Sequence, residues 1–122
     1  MSHQSPITRR DVRHRLRRGI GFVEFEVGES GNGRRRGDLT SLSVAGLTFE
    51  VDTDLGMEQG MLLQAATVLI GECALEGDLS VKHIRLVADS TFETGCVFYP
   101  SSHAGAEKWL AVIAGMQAVC VD

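Results

Sequence analysis

Lysine, proline and aromatic side chains are scarce in this chain: two Lys, two Pro and seven aromatics among 122 residues. With so little Pro and 14 Gly, chain reversals fall to glycine turns, which suits short strands joined tightly. None of the aromatics interleaves with the basic residues, so the chain lacks the stacking platform that single-stranded nucleic acid needs, and a nucleic-acid partner is not expected. No apolar run approaches the ~20 residues that span a bilayer. The opening MSHQSPITRRDVRHRLRR has no apolar centre of a secretory signal. A cytoplasmic protein without a membrane partner is therefore expected. The three cysteines, Cys73, Cys96 and Cys120, make an odd count without metal-ligand spacing, so they read as buried free thiols rather than a disulfide framework or a metal site. There is no G-x-S-x-G elbow, Walker loop or HExxH helix, and Asp52 and Asp54 stand without a basic or nucleophilic set beside them. Neither an enzyme nor a resident cofactor is expected.

What is present is a lopsided charge. Residues 1–36 hold nine Arg against four acids, a balance of +5, whereas residues 37–122 carry a balance of −9. The arginines form two clusters, Arg9, Arg10, Arg13, Arg15, Arg17 and Arg18, then Arg34, Arg35 and Arg36. A guanidinium grips phosphate through paired hydrogen bonds and also stacks on flat rings, which an ammonium does not. The first cluster therefore points to a partner that has both phosphates and bases, with a solvated basic arm as the alternative reading. The second reads as a solvated strand start.

Length and composition fit one globular domain. Alternation runs through Leu16, Arg18, Ile20 and Phe22, taken as one strand face, and on through GIGFVEFEV. GESGNG is a turn. LTSLSVAGLTFEV reads as two strands that meet at a bend near Ala45-Gly46, and Asp52 to Gly60 as a loop. MLLQAATVLIG is an apolar strand, Glu76-Gly77-Asp78 a hairpin turn, and LSVKHIRLVAD a strand with Leu79, Val81, His83 and Arg85 on one side. TFETGCVFYP is the last strand. After Pro100 the spacing turns helical, with Trp109, Ile113 and Met116 on one core-facing stripe and Ser101 or Ser102 as the cap. About six strands followed by one helix suggest a closed or nearly closed barrel with the helix over one opening.

In this order the segments resemble the PilZ domain family. Its RxxxR motif is matched by RRDVR, with Arg9 and Arg13 at the ends and Arg10 as the frequent second arginine. Arg13 and Arg17 offer a second register; Arg9/Arg13 is preferred because it leaves Leu16 and Ile20 as strand residues. Separated from Arg13 by twenty-seven residues, SLSVAG stands at the family's (D/N)xSxxG, supplying Ser41, Ser43 and Gly46. Ser41 replaces the family's Asp or Asn, and a hydroxyl is shorter and offers fewer lone pairs. GCVF, from Gly95 to Phe98, resembles the family's last core strand.

The resemblance implies an all-β fold: a six-stranded antiparallel barrel with a C-terminal α-helix, residues 19–122, preceded by a flexible Arg-rich arm, residues 1–18. It implies a receptor for the second messenger cyclic di-GMP. Arg9, Arg10 and Arg13 would take phosphate and stack on guanine, while Ser41, Ser43 and Gly46 form the barrel side of the site. Binding would fold the arm over the ligand and signal to a protein partner, in motility, pilus or exopolysaccharide control. Two other readings stand beside it. One is a degenerate PilZ-type domain that binds no nucleotide and acts as a protein-interaction module, which Ser41 favours. The other is a small-barrel nucleic-acid binder, against which the acidic barrel and the few aromatics count.

Overall fold

The computed structural model describes residues 13–27 and 33–119, with side chains through residue 116. Seven strands follow one another: β1 His14–Arg15, β2 Gly21–Phe25, β3 Arg35–Leu42, β4 Gly46–Val51, β5 Leu62–Ile70, β6 Cys73–Ala88 and β7 Thr91–Pro100. A helix, α1, covers His103–Val119. All pairings are antiparallel, in the order β1-β3-β2-β5-β6-β7-β4, and β4 pairs back onto β3. Six strands thus close a barrel, and β1 is an extra strand laid against β3. No helix among the described residues is long and apolar enough to cross a membrane.

Alternation sets the core. Val23 and Phe25 point inward from β2, Leu47, Phe49 and Val51 from β4, and Leu75, Leu79 and Val81 from β6. The Phe25 and Phe49 rings meet with centroids 5.0 Å apart. Each such buried side chain contributes about 1.5–3 kcal/mol over leaving it exposed. Bulges between Leu39 and Ser41, Leu63 and Ala66, and Val81 and His83 bend the strands and help the sheet to close. The helix starts where the Ser102 hydroxyl accepts the Gly105 N–H at 2.9 Å, so Ser102 is the cap. Trp109 and Ile113 are buried against the barrel, the Trp109 ring edge-on to Phe98 at 4.8 Å.

Four local expectations need correction. β2 begins only at Gly21: the Arg17–Ile20 segment is a turn, closed by the Ile20 N–H on the Arg17 carbonyl, with Gly19 at φ +89°. The inward side of β2 is Gly21, Val23 and Phe25, so Phe22 faces out, where the Arg36 guanidinium lies 4.6 Å over its ring. Glu76, Gly77 and Asp78 are not a turn but lie inside β6, and the reversal is at Gly71, φ +59°, and Glu72. Glycine at 77 serves close strand contact, since a Cβ there would strike the Tyr99 carbonyl of β7. His83 and Arg85 are not on the side of Leu79 and Val81, because the bulge at Lys82 turns them outward. Finally, the second Arg cluster is not merely solvated. Arg34 donates to the Glu24 and Ala65 carbonyls and to Thr67 Oγ1, tying β2 to the β5 bulge, and Arg36 pairs with Glu24 at 3.1 Å.

Candidate ligand-binding site

The site starts with the short strand β1. His14, buried, pairs opposite Leu42 and points inward, so its neighbours Arg13 and Arg15 are turned to the outer face of the barrel. Arg15 pairs with Ser41 of β3, Ser41 with Thr48 of β4, Thr48 with Gly95 of β7, and Gly95 with His83 of β6. One row of side chains therefore crosses five strands on the outer surface. Arg13 reaches over it, its Nη1 donating to Thr48 Oγ1 at 3.0 Å. The segment assigned to the arm is also held further on: Arg18 bridges Asp38 at 2.9 Å and Glu50 at 3.1 Å.

Above this row lie two adjoining depressions. A smaller one of about 140 Å³ is lined by Arg13, Ser41, Ser43, Gly46, Lys82 and His83, among others. An open cleft of about 680 Å³ is lined by Arg13, Arg15, Ser41, His83, Arg85, Glu50 and Glu93. That volume is in the range of small-molecule sites. Glu93 is taken by Arg85 at 2.8 Å and Glu50 by Arg18. Among the described residues Arg15, at the cleft, and Lys82, at the smaller depression, make no ion pair, so the surplus charge over the two depressions is positive. Such a surface suits a phosphorylated ligand.

The turn between β3 and β4 is fixed from several directions. The Ser43 N–H donates to the Gly46 carbonyl at 2.8 Å, and the Gly46 N–H donates to Ser43 Oγ at 3.3 Å. The Phe98 N–H donates to the Ala45 carbonyl at 3.1 Å, and the Trp109 indole N–H to the Val44 carbonyl at 3.1 Å. The Ser43 hydroxyl thus already serves its own turn. Gly46 is small because β7 is close: a Cβ there would land on the Cys96 carbonyl oxygen and lie 2.9 Å from Val97 Cα. The room beside Gly46 is filled by protein backbone.

Of the residues named from the sequence, Arg13, Ser41, Ser43 and Gly46 come together around the smaller depression. Arg9 and Arg10 lie outside the described residues. Arg13 belongs to both RxxxR registers, and Arg17 lines neither depression. Arg15, a member of the first arginine cluster, joins them, whereas Thr48, Lys82, His83 and Arg85 were not named for the site. A signal for His83 exists in the apolar spacing of β6: Val81 and Ile84 are three apart instead of two, and both are on the core side. An insertion of that kind marks a bulge. Burial pushes the Cys96 thiol, at the core face beneath this region, up to about 12.

No family model matches the chain, and no curated protein matches it by sequence. Solved structures do. It superposes on the K. pneumonia MrkH–c-di-GMP complex with a TM-score of 0.78 at 18% identity, over 89% of this chain and 51% of that one. On the PilZ domain of YcgR from Escherichia coli with c-di-GMP, the TM-score is 0.71 at 19% identity, over 89% of this chain and 91% of that one. The fold is PilZ-like. The Bacillus subtilis inhibitor of motility MotI/DgrA has the same PilZ-like barrel within a longer chain, with a TM-score of 0.71, 13% identity, and 97% and 52% of the two chains covered. This chain spans about half the length of the MrkH structures it matches. On the PilZ-like barrel the depressions lie on the outer face of β3, β4, β6 and β7, next to β1.

Proposed function

We propose that the chain is a non-catalytic receptor domain for cyclic di-GMP, with Arg13 as the described anchor of the phosphate side. The observation that carries this reading is the gathering of Arg13, distant in sequence, with Ser41, Ser43 and Gly46 of the β3–β4 segment around one electropositive depression of a PilZ-like barrel. That neighbours of the same fold were solved with c-di-GMP supports the choice of ligand. Arg9 and Arg10 would join Arg13 in bonding phosphate and stacking on guanine. Ligand capture joins the arginine-bearing segment and the barrel through one ligand and presents a changed surface to a protein partner, with motility, pilus or exopolysaccharide control as the setting.

One observation favours the second reading, a degenerate domain that binds no nucleotide and serves as an interaction module. Ser41 is only 8% exposed and carries the shorter side chain, so it offers little to a base edge. Isothermal titration with cyclic di-GMP, with GTP and a short oligonucleotide as controls, decides between the two. The receptor binds cyclic di-GMP alone, and Arg13→Ala weakens it roughly ten- to hundredfold, the scale of a lost charge-assisted hydrogen bond. Absence of cyclic di-GMP binding by the wild type sinks the receptor reading and leaves the interaction module.

A further inference from the structure

We propose that the His83 imidazole is a stacking plate for a purine ring of the ligand, a role that no part of the RxxxR and (D/N)xSxxG pattern assigns. The inference rests on the receptor reading above. Among the described residues His83 is the only aromatic side chain that lines either depression, and it lines both.

Its seat is built by two features. The first is the bulge at Lys82, which turns His83 from the core side to the outer face, where it pairs with Gly95. The second is Gly95 itself. A Cβ on Gly95 would strike His83 Cε1 and would lie 2.5 Å from Nε2 and 2.8 Å from Nδ1. Three ring atoms converge on the place of one missing methyl, so the ring lies across the glycine. Gly95 is not among the positive-φ glycines, so the backbone conformation does not call for glycine here. Its lack of a side chain makes room for the ring.

One ring surface thus rests on the sheet while the side chain as a whole stays exposed beside the cleft. Arg13, Arg15 and Arg85 line the same cleft, and Lys82 is the next residue in the chain. A flat ring set among cations matches a ligand with a flat base and phosphates to its side, since base–aromatic stacking and phosphate bonding then act at once. Among the described residues the His83 side chain makes no hydrogen bond or ion pair, so its removal deprives the fold of little.

The test is isothermal titration of cyclic di-GMP into the full chain and its His83→Ala, His83→Phe and His83→Lys variants at one salt concentration, with thermal melts alongside. His83→Ala is expected to weaken binding roughly five- to hundredfold, the range of one lost stack, with an unchanged melt. His83→Phe keeps the affinity within about threefold, because any aromatic face stacks, whereas His83→Lys loses it like Ala. Gly95→Ala, which unseats the ring, weakens binding in the wild type and adds nothing in the His83→Ala background. Wild-type affinity in His83→Ala overturns the proposal and leaves the receptor reading intact. Full affinity in His83→Lys overturns it by showing that charge, not the ring, is used. Failure of the wild type to bind cyclic di-GMP overturns the receptor reading and this inference with it.

Discussion

Gly46→Ala separates a glycine that a ligand needs from one that the barrel needs. The new methyl would sit on the Cys96 carbonyl oxygen and 2.9 Å from Val97 Cα, both backbone of β7, which cannot swing aside as a side chain would. β4 and β7 must therefore part where Gly46 pairs with Val97. Overpacking of this kind costs about 1–3 kcal/mol. Loss of the adjacent Phe98 N–H to Ala45 carbonyl bond adds about 1 kcal/mol. The expected loss is about 2–4 kcal/mol, or roughly 8–16 °C in melting temperature at about 4 °C per kcal/mol for a domain of this size. Urea titration and a thermal melt followed by circular dichroism measure it, with the slope of the urea transition unchanged. A Gly46→Ala protein that melts within about 2 °C of the wild type while binding cyclic di-GMP more weakly would refute the reasoning, because Gly46 would then act through the ligand.

Three further outcomes are expected. Ala65 sits at φ +59° in the β5 bulge, its N–H held by Asp78 Oδ1 and its carbonyl by Arg34, so Ala65→Gly should raise stability by about 1 kcal/mol in urea titration; an unchanged or lower midpoint would show that the bulge carries no strain. Trp109→Phe leaves the Val44 carbonyl without its indole donor and should cost about 1–3 kcal/mol in the same assay, whereas no loss would mean that the turn does not depend on the helix. The Cys96 thiol is raised from 9.0 to about 12 by burial, so that the stability tied to its neutral form is fully present below pH 9 and is lost as pH rises toward 12. Iodoacetamide at pH 8, followed by peptide mapping, should therefore label Cys96 only after unfolding; labelling in the native protein would contradict its burial.

The sequence by itself determined the elements that rest on local chemistry. Period-two runs such as TFETGCVFYP and GLTFEV became strands, the Trp109/Ile113 stripe became the core side of a helix, and the Ser-Val-Ala-Gly bend became the β3–β4 turn. These depend on periodicity and turn chemistry within a few residues. The motif residues could be named for the same reason, and the pairing of β1 with β3, which sets Arg15 opposite Ser41, then brought Arg13 to the depression that Ser41 lines. What only the tertiary structure decided is each position where a neighbouring strand overrides the local signal. Gly77 looked like a turn residue, yet its smallness answers the Tyr99 carbonyl across the sheet, and the turn fell to Gly71. Gly46 was named for the barrel side of the site, yet the space beside it is filled by β7 backbone. His83 alternates with Val81 on paper, and one inserted residue, Lys82, turns it onto the outer face above Gly95. A bulge shifts every later side chain to the opposite face, and its placement is settled by the pairing of β6 with β7, to which a single strand read alone gives no access.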